Sequence, residues 1–160
     1  MKYSSNSLEE TQKIAQDFIS SIKPNNTGAT VVGLYGDLGA GKTSFIKGIS
    51  KALGVSDTVV SPTFVIMKVY ELDSGFQRSD LKEDSKAQTL GKFTHLIHID
   101  AYRIEKSSEL LYLGWNDIIS DPKNLIFIEW PERVADIMPE HIHIHFTHVS
   151  ENSREIEIFG

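Results

Sequence analysis

Apolar positions recur along this chain with two different periods. Between Ser7 and Pro24, Leu8, Thr11, Ile14, Ala15, Phe18, Ile19 and Ile22 fall at helical spacing, a pattern that lays one stripe of a helix against a core. Ser7 and Glu10 form a capping box, so a helix is predicted from about Leu8 to Lys23, stopped by Pro24. The run TVVGLY, Thr30 to Tyr35, is short and rich in β-branched residues, as a buried strand requires. In KTSFIKGISKALG the helical period returns, with Phe45, Ile46, Ile49, Ala52 and Leu53 on one face and Gly54 as the stop.

Downstream, TFVIMKVYE, FTHLIHID, NLIFIEW, HIHIHFTHV and REIEIF read as strands, and KSSELLYLGWNDIIS as one or two short helices. Continuous apolar strands belong in a parallel sheet covered on both faces, whereas alternating ones suit an antiparallel edge. The fold predicted is a single α/β domain over residues 1–160, with a mixed, mainly parallel sheet flanked by helices and antiparallel strands near the C-terminus. Leu72 to Lys92 is polar and mixed in charge, and reads as an exposed insertion between two strands.

The strand TVVGLY and the helix that follows are joined by GDLGAGKTSF. Gly36 to Thr43 fits G-x-x-x-x-G-K-[ST], the phosphate-loop pattern. Glycines let the backbone fold back so that successive N–H groups point at phosphate oxygens, and the following helix adds its positive end. Lys42 would reach the β- and γ-phosphates, and the Thr43 hydroxyl would ligate Mg²⁺. Such a loop needs a carboxylate at the tip of a neighbouring strand. Asp100 ends LIHID and Glu129 ends NLIFIE; the more apolar run before Glu129 favours it on the metal side and leaves Asp100 to orient or activate the attacking water.

Composition narrows the setting. A chain of 160 residues with 40% hydrophobic and 24% charged residues is long enough for one core, and no apolar run approaches a membrane span. The lack of cysteine and of a signal-peptide pattern at the N-terminus predicts a cytoplasmic protein. A net charge of −6 argues against broad gripping of a phosphate backbone, so any nucleic acid would be held through a partner.

Other features allow two readings each. SPTF, Ser61 to Phe64, is either a strand entry or a loop whose threonine senses a γ-phosphate. His141, His143 and His145 alternate with apolar residues, and at about 6.7 Å spacing they cannot all reach one ion; a polar strand face is expected. Trp130 could stack on a nucleotide or simply pack, and Arg103 and Arg133 are either phosphate or base contacts or surface residues.

Taken in order, GDLGAGKTSF, SPTF, HIDAYRI and IFIEWPERV resemble the motifs of the TsaE family (formerly YjeE), the small ATPase of bacterial tRNA threonylcarbamoyladenosine biosynthesis. The resemblance implies a phosphate-loop fold that binds ATP and Mg²⁺ and hydrolyses ATP slowly alone. It also implies partnership with the TsaB and TsaD proteins, which place threonylcarbamoyl on N6 of adenosine 37 in tRNAs reading codons that begin with A. Residue by residue, it assigns Gly36, Asp37, Leu38, Gly39, Ala40, Gly41, Lys42 and Thr43 to the phosphates, with Ser44 beside them. Thr43 and Glu129 are assigned to Mg²⁺, Asp100 to catalysis, and Trp130 to the place next to the metal-side glutamate. Thr11 and Arg133 match positions expected to touch the rest of the nucleotide. The segment from Leu72 to Lys92 departs from the family's short hairpin. The rival readings are a small-molecule phosphate-loop kinase, for which this insertion with Arg78 would be the lid, and a non-catalytic nucleotide switch.

Overall fold

A computed structural model of the chain describes residues 1–55, 61–72 and 93–160. The elements in chain order are β1 (Lys2–Ser5), α1 (Leu8–Ser21), β2 (Thr30–Tyr35), α2 (Lys42–Ala52), β3 (Met67–Glu71), β4 (His95–Asp100), α3 (Ser108–Tyr112), α4 (Trp115–Ser120), β5 (Asn124–Glu129), β6 (Ile142–His148) and β7 (Arg154–Phe159). A 3-10 stretch, Pro131–Ile137, lies between β5 and β6 and breaks at Val134.

Among the described residues the strands form one sheet in the order β1-β7-β6-β2-β5-β4-β3. β6, β2, β5 and β4 are parallel, and β3, β7 and β1 add antiparallel edges. The mixed, mainly parallel sheet expected from the strand patterns is therefore present, with an antiparallel strand at the β3 edge as well as near the C-terminus. Leu125, Ile126, Phe127 and Ile128 of β5 are all completely buried, because β5 is covered on both faces.

Each face has its own apolar layer. α1 and α2 pack Ala15, Ile19, Phe45, Ile46 and Ile49 against Leu34, Phe127, Phe146 and Ile156. The opposite layer joins Leu110, Trp115 and Val134 to Ile97, Ile99, Ile126 and Ile128. Fully burying one such side chain is worth about 1.5–3 kcal/mol, so the two layers fix β2, β5 and β4 from both sides. That places the C-terminal ends of these strands at one edge, where β2 runs into the glycine loop and β5 and β4 end in Glu129 and Asp100.

Two boundaries and one strand differ from the sequence reading. The first helix ends at Ser21, with Ile22 already extended. TFVIMKVYE is strand only from Met67, since residues 62–66 turn and Ile66 takes φ 65°. β1 was not foreseen, because its residues KYSS carry no apolar alternation; it is an edge strand held by β7. Leu72 continues the β3 edge by donating its N–H to Thr94 O at 2.8 Å, while the rest of the expected insertion, 73–92, and with it the candidate lid arginine, lies outside the described residues. KSSELLYLGWNDIIS forms two helices separated at Gly114, whose φ is 86°. The histidine strand presents the polar face expected: Ile144 and Phe146 are buried, His143 and His145 exposed. Among the described residues, no group of three or more metal-ligating His, Cys, Asp or Glu side chains is assembled, and no helix is long and apolar enough to cross a membrane.

Candidate nucleotide site

The loop between β2 and α2 turns through Gly36, Gly39 and Gly41, at φ 125°, 79° and 108°. These are left-handed values that a side chain resists. Gly36 is doubly constrained, since a Cβ there would come within 2.2 Å of Phe146 O on β6. Asp37, Leu38 and Gly39 form the exposed outer arc and Ala40 packs beneath it, its N–H donating to Asp37 O at 3.2 Å. α2 starts at Lys42 with no side-chain cap, and Ser44 lies half-buried in its first turn, so the loop and the open helix end present N–H donors together.

Lys42 is 4% exposed and bends back over the loop, donating from Nζ to Gly36 O at 2.5 Å and Asp37 O at 2.8 Å. Its ammonium also sits 4.2 Å from the centre of the Trp130 ring. Burial lowers the Lys42 pKa, opposed by the charges of Glu129, Glu132, Asp100 and Asp37. Trp130 is held there by a left-handed backbone, φ 60°, immediately after β5, with its N–H donating to Leu34 O at 3.2 Å.

The two strand-end carboxylates stand side by side, Asp100 paired in register with Glu129. Both are 4% exposed. The Thr43 hydroxyl meets the Glu129 carboxylate, at 2.9 Å from Oε1 and 3.2 Å from Oε2. His98, two residues before Asp100 on the same face of β4, places Nε2 at 2.8 Å from Glu129 Oε1. Asp100 has a different set of partners. Its Oδ2 accepts from Thr63 at 2.5 Å and from Ser61 at 3.0 Å, and its Oδ1 accepts from the Tyr102 N–H at 3.0 Å.

SPTF is thus a turn tied to Asp100 rather than a strand entry. Ile66, a β-branched residue at positive φ, closes that turn by donating its N–H to Pro62 O at 2.6 Å, and its carbonyl accepts from the Asp100 N–H at 2.8 Å. Such a conformation costs about 1–3 kcal/mol and persists only where its surroundings enforce it.

Two expected nucleotide contacts are placed differently from one another. Arg133 lies on the β5 side, its guanidinium 6.0 Å from the Tyr102 ring, which in turn is 5.1 Å from Trp130. Thr11 lies at the other flank. It is fully buried, with its hydroxyl bonded to Ser5 Oγ at 2.8 Å, Ser7 O at 3.1 Å and Arg154 Nη1 at 3.2 Å. Thr11 is linked to the loop region through Arg154, whose side chain runs beside Gly41. Arg103 stacks on the exposed Phe64 at 4.5 Å. The sequence reading missed His98 and Arg154. His98 carried a signal, since the strand period puts it on the face of Asp100; Arg154 carried none, because only folding brings the start of β7 beside the loop.

The donors beside Lys42 are hydroxyl and carboxylate oxygens, from Thr43 and Glu129 with Asp100 adjacent. This set suits a hard, oxygen-seeking cation such as Mg²⁺, which takes few protein ligands and completes its shell with phosphate and water.

A mainly parallel sheet with a glycine loop leading from its central strand into a helix, and with acids ending the next two strands on one side, defines the P-loop NTPase class. Among solved structures, the crystal structure of Bacillus subtilis YdiB is similar, with a TM-score of 0.68 and 26% identity, covering 99% of this chain and 83% of that one. The family model for the threonylcarbamoyl adenosine biosynthesis protein TsaE matches residues 5–156. A tRNA threonylcarbamoyladenosine biosynthesis protein TsaE from Rickettsia felis is 33% identical over 151 residues, covering 93% of this chain and 74% of the relative. Its counterpart from Aquifex aeolicus is 32% identical over 155 residues, covering 96% and 91%. The chain belongs to the TsaE family, whose process is the biosynthesis of threonylcarbamoyladenosine in tRNA.

Proposed function

We propose that this protein is a Mg²⁺-dependent ATPase that supports formation of N6-threonylcarbamoyladenosine at position 37 of tRNA, acting in the cytoplasm with the TsaB and TsaD proteins. The observation that carries the ATPase reading is the contact of the Thr43 hydroxyl with the Glu129 carboxylate at 2.9 Å, beside Lys42 and the glycine loop. It joins the loop to the acidic strand end in the arrangement that phosphoryl-transfer sites use. Family membership supports this choice of partners, and the net charge of −6 fits a protein that meets tRNA through a complex.

In this reading the backbone N–H groups from Gly36 to Ser44 receive the phosphates. The Lys42 ammonium turns from the loop carbonyls to the β- and γ-phosphate oxygens. Thr43 and Glu129 would hold Mg²⁺, which when bound neutralises phosphate charge. Asp100 accepts a hydrogen bond from the attacking water and orients it, with Ser61 and Thr63 holding its carboxylate in place. Trp130 covers the Lys42 side and shields it from solvent, which strengthens its charge interactions.

The test is ATP hydrolysis by the purified protein, alone and with TsaB and TsaD, for wild type, Lys42→Ala and Glu129→Ala. Stimulation by the pair that disappears in both variants supports the reading. Normal ATP binding without any stimulation removes the partnership, and absence of ATP binding removes the site assignment.

A further inference from the structure

Ile144 and Phe146 of β6 pack toward α1 and α2, so the alternating His141, His143 and His145 share the opposite face of the sheet. Two of these rings come together. His141 and His143 stack with centroids 4.2 Å apart and planes 12° apart, and Tyr35, the last residue of β2, stacks on His143 at 5.1 Å. The cluster sits over Gly33, where a Cβ would stand 2.9 Å from His141 Cδ2, 3.0 Å from its Nε2 and 3.1 Å from Tyr35 Cε2. The absent side chain makes room for the three rings.

His141 is held in one tautomer. Its Nδ1 lies 2.7 Å from Pro139 O, and a carbonyl only accepts, so Nδ1 carries the proton and Nε2 presents a lone pair. Metal-ligating histidines are oriented in this way, the far N–H tied to a carbonyl or carboxylate and the near nitrogen bare. The group facing that lone pair is the Tyr35 hydroxyl, 2.7 Å away. With bonds of about 2.0–2.2 Å to nitrogen and oxygen, one ion seated between the two atoms reaches both. The ring nitrogens of His143 have no hydrogen-bond partner among the described residues. Partial desolvation of that ring, then His141, lowers its pKa, so at pH 7 it is neutral and has a lone pair to give. Partial burial, then the charge of Glu132, raises the Tyr35 pKa, and the same carboxylate favours a cation placed beside the phenol.

We propose that His141 Nε2, one ring nitrogen of His143 and the Tyr35 hydroxyl oxygen bind a divalent transition ion of the Zn²⁺ or Cu²⁺ class, the phenol releasing its proton to solvent and water completing the shell. Imidazole suits such ions, whereas Mg²⁺ takes oxygen ligands, so this site differs in chemistry from Thr43 and Glu129. His145 stays outside it, because three alternating residues of one strand cannot all reach one ion.

The experiment is calorimetric titration with ZnCl₂, in excess Mg²⁺ and without nucleotide, of wild type and of His141→Gln, His143→Gln, Tyr35→Phe, His145→Gln and Glu129→Gln. Wild type should take up one ion. His141→Gln and His143→Gln should each weaken binding about 10–100-fold, at least the effect of losing an outer partner, and Tyr35→Phe should weaken it less. His145→Gln and Glu129→Gln should match wild type. If the melting curve of His141→Gln shows that it does not fold, the exposed His143 carries the test. A CuCl₂ titration adds a readout that a structural role would not give, a visible phenolate-to-copper absorption band that is missing in Tyr35→Phe. Failure of wild type to take up either ion overturns the inference. Binding lost in His145→Gln but kept in His141→Gln moves the ion to the outer pair and overturns it. Binding lost in Glu129→Gln but kept in the histidine variants puts the ion at the phosphate loop and overturns it too.

Discussion

His98 and Glu129 share a hydrogen bond of 2.8 Å between neighbouring strands, with the imidazole completely buried. A carboxylate only accepts, so Nε2 carries the proton, and Nδ1 has no partner among the described residues. The bond competes with nothing else at Nε2 and fixes which way the Glu129 oxygens face. Outer partners of this kind typically change metal affinity or activity about 10–100-fold when removed. We expect His98→Ala to raise the Mg²⁺ concentration needed for half-maximal ATP hydrolysis by about that factor, and His98→Gln, which keeps a donor, to recover part of it. A magnesium titration of both variants at saturating ATP checks this, and unchanged magnesium dependence in His98→Ala would sink it.

If Asp100 orients the attacking water as proposed, its replacement separates hydrolysis from binding. Its Oδ2 is held by Thr63 and Ser61, and the strained Ile66 backbone keeps those hydroxyls in place. Asp100→Asn preserves the size of the side chain and removes the charge proposed to orient water. It should bind ATP within about threefold of wild type and hydrolyse it about 10²-fold or more slowly, the low end of what general base catalysis contributes. Thr63→Val should show a smaller fall in kcat, with little change in KM. If Asp100→Asn instead supports full tRNA modification with the complete set of partner proteins, the protein works as a nucleotide switch.

The parts of the fold legible in the sequence are those where local pattern and tertiary environment agree. NLIFIE reads as a buried strand because every one of its residues is buried, and GDLGAGKTSF reads as a phosphate loop because left-handed backbone at Gly36, Gly39 and Gly41 leaves its mark as glycine. What escaped depends on contacts distant in sequence. KYSS becomes a strand only through pairing with β7. Ile66 turns where its residue type favours a strand, because its carbonyl is bonded to the Asp100 N–H and its N–H to Pro62. Thr11 matches a nucleotide-contacting position by family pattern; its burial and its bonds to Ser5 of β1 and Arg154 of β7 depend on strands that no local pattern brings together.

Gly48 sets the distance between α1 and α2. A Cβ there would stand 2.9 Å from both Ala15 Cβ and Gln12 Cα, and 3.0 Å from Gln12 O. Alanine would gain about 0.8–1 kcal/mol in helix propensity. Overpacking of this kind costs about 1–3 kcal/mol, and here the obstacle includes backbone, which cannot rotate away. Gly48→Ala should therefore be destabilising on balance, lowering Tm by about 2–4 °C for each kcal/mol lost in a chain of this size. A thermal melt showing an equal or higher Tm would mean that α1 moves away at no cost.

His143 makes stability depend on pH in a defined direction. It stacks on His141 at 4.2 Å and on Tyr35 at 5.1 Å, on the same sheet face as His145 and Glu157. Although the residue is largely exposed, partial desolvation of its ring first, then the neighbouring His141, lowers its pKa below the ordinary 6.5. His141 reinforces the stack from its own side, with Nδ1–H donating to Pro139 O and Nε2 accepting from the Tyr35 hydroxyl, both at 2.7 Å. As pH falls through 6.5 the unfolded chain takes up a proton at this residue that the folded chain still refuses, so unfolding becomes more favourable. The stabilising contribution is complete above 6.5 and declines as pH drops toward the lower folded pKa. Urea denaturation of wild type and His143→Gln between pH 5 and pH 8 should show the wild type losing more stability on acidification than the variant. Parallel slopes for the two proteins would show that the stack tolerates the charged imidazole as readily as the unfolded chain does.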